Sequence, residues 1–243
     1  HIPRLLISFL DMKKTHLLFF ILLINSINTF SQNTDNTLSR YLQNFQYQQA
    51  LDYIETKEPA KELLLQKALC YKALGMPRNS IEILQPLSEE HNRDVKIMTE
   101  LALCYETIGK RDESIACYDS LIVIDSANVY FTMQKAELLY QQEKYRDALN
   151  LYRNVYDNKG FLNCLKRSAQ CFEKINESDS AKLYYSIAWE KDSTDSFSAA
   201  NLINLNLKTE HYGNAILLSD IYVQRDSTDK QINVLNALSY YFS

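Results

Sequence analysis

The sequence predicts an all-α fold of stacked helical hairpins, and three observations carry that prediction. Leu69-Cys70-Tyr71-Lys72-Ala73-Leu74-Gly75 returns 34 residues later as Leu103-Cys104-Tyr105-Glu106-Thr107-Ile108-Gly109. A fixed period of this size is what a stacked-repeat architecture leaves in a sequence. Small residues then carry the period past these two copies: Ala50, Ser80, Ser114, Ala148, Ala181 and Ala215 follow at steps of 30, 34, 34, 33 and 34. Finally, only four Gly and four Pro occur in 243 residues, little material for strand-and-turn folds.

Each unit reads as two helices and a break. Four positions after most of the small residues stands a larger one: Ile54, Leu84, Tyr118, Tyr152 and Tyr185. Twelve positions before stands another small one: Ala68, Ala102, Ala136 and Ala169. Two helices approach closely only where side chains are small, so each pair marks a crossing. Gly75-Met76-Pro77, Gly109-Lys110-Arg111 and Glu143-Lys144-Tyr145 supply the turns. The repeats fall near residues 31–60, 61–94, 95–128, 129–161, 162–195 and 196–229, with half a repeat over 230–243. A hairpin of about 34 residues is too small to bury a core alone. Ordering its backbone costs about 1–2 kcal/mol per residue. Each hairpin must cover its neighbour, so residues 32–243 are expected to form one continuous array.

The half repeat lacks a second helix. Ala237 holds its small position and Tyr240-Tyr241 its aromatic one, so Leu235, Leu238, Tyr241 and Phe242 cannot all be covered. Repeat arrays normally end in a polar cap. The expectation is a protein that continues past Ser243, or self-association through this helix.

Residues 1–31 read as a leader. Met12-Lys13-Lys14 is a basic start, residues 17–24 an apolar core too short to span a bilayer, and Thr29-Phe30-Ser31 a signal-peptidase site. Residues 12–31 are thus expected to be a signal peptide, and 1–11 to lie upstream of the true start. This is the style of a Gram-negative exported protein, periplasmic or associated with the outer membrane. Removing 1–31 takes Lys+Arg from 26 to 23 and Asp+Glu from 30 to 29, which leaves a net charge of −6. An acidic chain without a basic run is a poor nucleic-acid ligand.

The repeats resemble the tetratricopeptide-repeat family, in which a 34-residue helix–turn–helix carries Leu, Gly and Tyr in its first helix and Ala and Phe/Tyr in its second. Arg111-Asp112-Glu113-Ser114-Ile115-Ala116-Cys117-Tyr118 and Tyr145-Arg146-Asp147-Ala148-Leu149-Asn150-Leu151-Tyr152 carry the second-helix motif. Leu64, Met98, Thr132 and Leu165 stand where the family prefers tryptophan, and Ser126, Ser193 and Ser227 where it ends on proline. The resemblance implies a right-handed solenoid of about six repeats plus a terminal helix. It also implies a groove lined by the first helices. Carried onto this chain, the early repeats supply Leu65, Leu69, Thr99, Leu103, Tyr130 and Met133. The later ones supply Tyr140, Lys166, Arg167, Gln170, Lys174, Asn201, Asn204 and Lys208. Half of that groove is apolar and half basic to polar, which suits a segment with apolar anchors next to acidic groups. Residue by residue the same positions also fit partial cover by neighbouring helices, and Lys166-Arg167 a solvated face near Glu173. The Lys/Asn constellation of the family's chaperone-tail binders is not present.

Catalytic chemistry finds no foothold. No phosphate-cradling glycine loop and no nucleophile motif occur. None of His1, His16, His91 and His211 has a ligand-spaced Cys, Asp or His, so neither a metal nor a cofactor is expected. Cys70, Cys104 and Cys171 share one repeat position and read as small buried side chains. A Cys104–Cys117 bridge within one hairpin stays open. Asp125-Ser126-Ala127, Asp192-Ser193-Thr194 and Asp226-Ser227-Thr228 read as caps of the helices that follow, or as O-glycosylation acceptors. The function expected is a non-enzymatic scaffold that binds a protein or peptide. Two alternatives are the ligand-sensing segment of a longer membrane signalling protein and a solute-capturing module of a nutrient-uptake system.

Overall fold

A computed structural model describes residues 36–243, and every regular element among them is a helix. The leader predicted over residues 1–31 lies outside the described residues. Helix α1 covers 36–43. It is followed by α2 (Tyr47–Glu55), α3 (Lys61–Ala73), α4 (Pro77–Glu90), α5 (Val95–Thr107), α6 (Arg111–Ile124), α7 (Val129–Gln141) and α8 (Tyr145–Lys159). The remainder are α9 (Leu162–Lys174), α10 (Ser178–Lys191), α11 (Ser196–Lys208), α12 (Tyr212–Arg225) and α13 (Lys230–Phe242). The first helices of the repeats, α3 to α13 in odd numbers, are each 13 residues long and start 34, 34, 33, 34 and 34 residues apart. None of these helices is long and apolar enough to cross a membrane.

The chain divides into two compact units, one ending at Asn92 and one running from Arg93 to Ser243. In the first, Leu38, Ala50, Leu51, Ile54 and Cys70 form a core between α1, α2 and α3. In the second, α5 to α13 pack as successive antiparallel hairpins, each second helix also packing on the next first helix. Its larger core joins Ala136 and Leu139 of α7 to Ala148 and Tyr152 of α8, Ala169 and Phe172 of α9, and Tyr185 of α10.

The crossings fall on the small residues. Ala50, Ser80, Ser114, Ala148, Ala181 and Ala215 have no exposed surface, and neither do Ala68, Ala102, Ala136 and Ala169. Cys70, Cys104 and Cys171 are buried at one register, and all five cysteines are free, Cys104 and Cys117 included. In α13 no helix among the described residues covers the small position. Ala237 is exposed there, beside Leu238, Tyr241 and Phe242.

The hairpin turns use one closure throughout. After α3, Gly75 N–H donates to Lys72 O at 3.0 Å and Met76 N–H to Tyr71 O at 2.9 Å, the doubled bond that ends a helix on a left-handed residue. The left-handed position recurs at Phe45, Gly75, Gly109, Glu143, Asn176 and Glu210, with φ between 57° and 76°. Only two of the six are glycine, although a side chain there costs about 1–2 kcal/mol. A Cβ on Gly109 would meet nothing within 4 Å, so Gly109→Ala tests the backbone term alone. It should lower stability by about 1 kcal/mol, and Glu143→Gly should raise it by about 0.5 kcal/mol, net of glycine's freedom in the unfolded chain. Urea midpoints that do not move in opposite directions would remove the strain.

The Asp-Ser triplets do not cap the next helix as expected. Asp125, Asp192 and Asp226 end the preceding helix instead. Asp192 accepts from the Thr194 N–H (3.1 Å) and hydroxyl (2.7 Å), and Asp226 does the same with Thr228. The Thr side chains and N–H groups hold both carboxyls below their usual range. The capping register lies three residues on: Asn128 accepts from Tyr130 N–H, and Asp229 from Gln231 and Ile232 N–H. Asp195 stands at the same place before α11, but its carboxylate accepts the Ser198 hydroxyl at 2.5 Å instead of a first-turn N–H.

Candidate partner-binding surface

In the second unit α7, α9 and α11 meet along one face. Arg167 of α9 reaches back to Glu137 of α7, with Nη2 to Oε2 at 2.7 Å, and its Cζ lies 5.9 Å from the Tyr140 ring centre. Arg167 Nη1 donates to Gln170 Oε1 at 3.1 Å. Lys166 reaches forward to Asp195, with Nζ to Oδ1 at 3.4 Å, and sits 6.0 Å from the Phe197 ring centre. Between these contacts opens a cleft of about 310 Å³, lined by Asn163, Lys166, Arg167, Gln170 and Phe197.

The face is tied to the core through tyrosine hydroxyls. Tyr118, Tyr152 and Tyr185 are buried in successive second helices. Tyr118 donates to Glu106 (2.7 Å), Tyr152 to Glu137 (3.1 Å) and Tyr185 to Glu173 (2.7 Å). Burial and the carboxylate acceptors push all three phenols far above their ordinary range. They act as neutral donors that orient the glutamates. Tyr140 is pushed up as well, by burial first.

The predicted groove residues fall into several different environments. Lys166, Arg167 and Gln170 are brought together in the cleft. Asn201 lies beside it and donates Nδ2–H to Phe197 O at 2.8 Å, and Asn204 is half-buried one turn further on α11. Tyr130 is exposed on α7, edge-on to Phe131, and Lys174 and Lys208 are exposed at the ends of α9 and α11. Met133 and Tyr140 pack half-buried against the core. Thr99 is half-buried and spends its hydroxyl on Val95 O at 2.7 Å, near the half-buried Leu103. Leu69 is half-buried in the first unit. Leu65 is corrected: only 7% exposed, it belongs to the core of α3.

Of the cations expected in the basic half, Lys166 and Arg167 each carry a carboxylate partner. Glu173 is not among these partners; its Oε1 takes the Tyr185 hydroxyl. The residues missed from sequence are Asn163, Phe197, Glu137 and Asp195. Three of them were within reach, since Asn163 and Phe197 occupy the register of Tyr130, and Glu137 that of Gln170.

No family profile matches the sequence, and no curated protein matches it. Solved structures do. A tetratricopeptide repeat protein from Parabacteroides merdae superimposes with a TM-score of 0.62 at 12% identity, over 86% of this chain and 85% of that one. The chain has the tetratricopeptide-repeat fold. A MamA protein superimposes on the tetratricopeptide-repeat array with a TM-score of 0.59 at 15% identity, over 67% of this chain and 92% of that one. A structure of Naa15/Naa10 bound to HypK-THB does so with a TM-score of 0.58 at 15% identity, over 86% of this chain but only 33% of that one. At these identities the likeness is one of fold.

Proposed function

We propose that the chain is a non-enzymatic scaffold that holds a segment of a partner protein on the face of α7, α9 and α11. The observation that carries this is the open cleft between α9 and α11, flanked on the same register by the exposed Tyr130 ring. Exposed aromatic rings beside convergent polar groups are the usual make-up of a protein-binding patch. A structure of the same fold, Naa15/Naa10, is solved with HypK-THB bound, which supports a protein partner here. The leader read over residues 12–31 supports export, so the proposed setting is the periplasm or the outer-membrane surface.

Site-specific photo-crosslinking in the native cell tests this reading. A benzophenone side chain at Tyr130 or Asn163 should capture one protein of defined mass. The same group at exposed Leu183 or Glu190 on α10 should not. Capture from α10 alone would move the binding surface to the second helices.

A further inference from the structure

The cleft's own electrostatics narrow what it takes. Its lining contains two cations, two carboxamides and one phenyl ring, and no acid. The acids stand just behind. Glu137 holds Arg167 at 2.7 Å, and Asp195 holds Lys166 at 3.4 Å while also accepting the Ser198 hydroxyl at 2.5 Å. Each of the two positive charges is therefore already matched by a negative one. An incoming carboxylate would gain two partially spent cations and meet Glu137 and Asp195 at short range, in surroundings where these side chains are half-buried and screening is weakened.

A neutral acceptor meets no such opposition. The Lys166 ammonium has three donors, and its partners here are one long bond to Asp195 and the Phe197 ring. Gln170 accepts from Arg167 through Oε1, which leaves its NH₂ to donate. Asn163 is exposed at the mouth with a carboxamide that both donates and accepts. Phe197, 41% exposed, offers the cleft its apolar surface.

We propose that this cleft takes an uncharged stretch of the partner's main chain and discriminates against acidic segments. Carbonyl oxygens accept from Lys166, Asn163 and Gln170, and an apolar side chain of the ligand rests on Phe197. The inference rests on the reading of this face as protein-binding, and specifies the chemistry of its ligand.

The test is selection of a displayed library of random twelve-residue peptides on the whole chain. Enriched peptides are then measured against Asn163→Ala/Gln170→Ala and, separately, Tyr130→Ala, each with its helical circular dichroism checked. The expected peptides lose at least about tenfold in affinity on the first variant and are depleted in Asp and Glu relative to the unselected library. Their affinity changes by less than about threefold between ~50 and ~500 mM salt, because no net charge is being matched. Cleft-dependent peptides that are not depleted in acid, or that show a larger salt dependence, overturn the inference and leave the protein-binding face standing. Peptides that depend on Tyr130 and not on the cleft do the same. Enriched peptides indifferent to both variants, or no enrichment at all, overturn both.

Discussion

Tyr185→Ala should cost the protein about 3–5 kcal/mol, the range for removing a buried aromatic ring. Tyr185 has no exposed surface, and its ring packs edge-on to Phe197 at 6.1 Å. Its hydroxyl donates to Glu173 at 2.7 Å. The truncation removes the ring from a core shared by α9, α10 and α11, and the helices cannot close the gap without shifting the cleft wall that Phe197 forms. Tyr185→Phe separates the two contributions. It keeps the ring and deletes one bond to a half-buried carboxylate, so its cost should be about 1–2 kcal/mol. Urea denaturation followed by circular dichroism gives both numbers. Equal losses for the two variants would mean that the hydroxyl, not the ring, holds α10 in place.

Ala148→Leu should cost about 1–3 kcal/mol, by the opposite route of overfilling. Ala148 of α8 shares a core with Ala136 of α7, and neither exposes any surface. Three extra carbons at a crossing force the helices apart or the side chain off its rotamer, in an interior packed to near crystal density. Asn150→Leu is the control, two residues along on the exposed face of the same helix, and should change stability little. A midpoint for Ala148→Leu as unchanged as that of the control would place the α7–α8 crossing elsewhere.

The fold was legible in the sequence because its crossings are written in a single residue size. Small residues at a step of about 34 mark where helices touch, and all six of those named in the second helices are buried. The turns were legible at Gly75 and Gly109 but not at Asn176 or Glu210, where ordinary residues take the left-handed conformation. Capping was misplaced by three residues because an Asp-Ser-Thr run is as good at closing the end of one helix as at opening the next. At the candidate site, the register chose the right helix faces but not the electrostatics. Arg167 finds Glu137 30 residues earlier and Lys166 finds Asp195 29 residues later. A pairing at roughly one repeat's distance is invisible to neighbour counting along the chain, although the repeat period itself points to it. Leu65 shows the converse failure: it shares a register with Thr99 and Met133, both half-buried, and is itself in the core.

The buried thiols give this array built-in clocks. Cys70, Cys104 and Cys171 occupy one register in three first helices, and Cys164 lies two turns before Cys171. Burial pushes the thiols of Cys70, Cys164 and Cys171 up, the latter two to about 11 and about 12, so at neutral pH the closed protein holds almost no thiolate there to react. Alkylation must then wait for each helix to open and the thiol to regain its solvent acidity. The order in which these cysteines become modified is therefore a kinetic record of where along the repeats the structure first lets go.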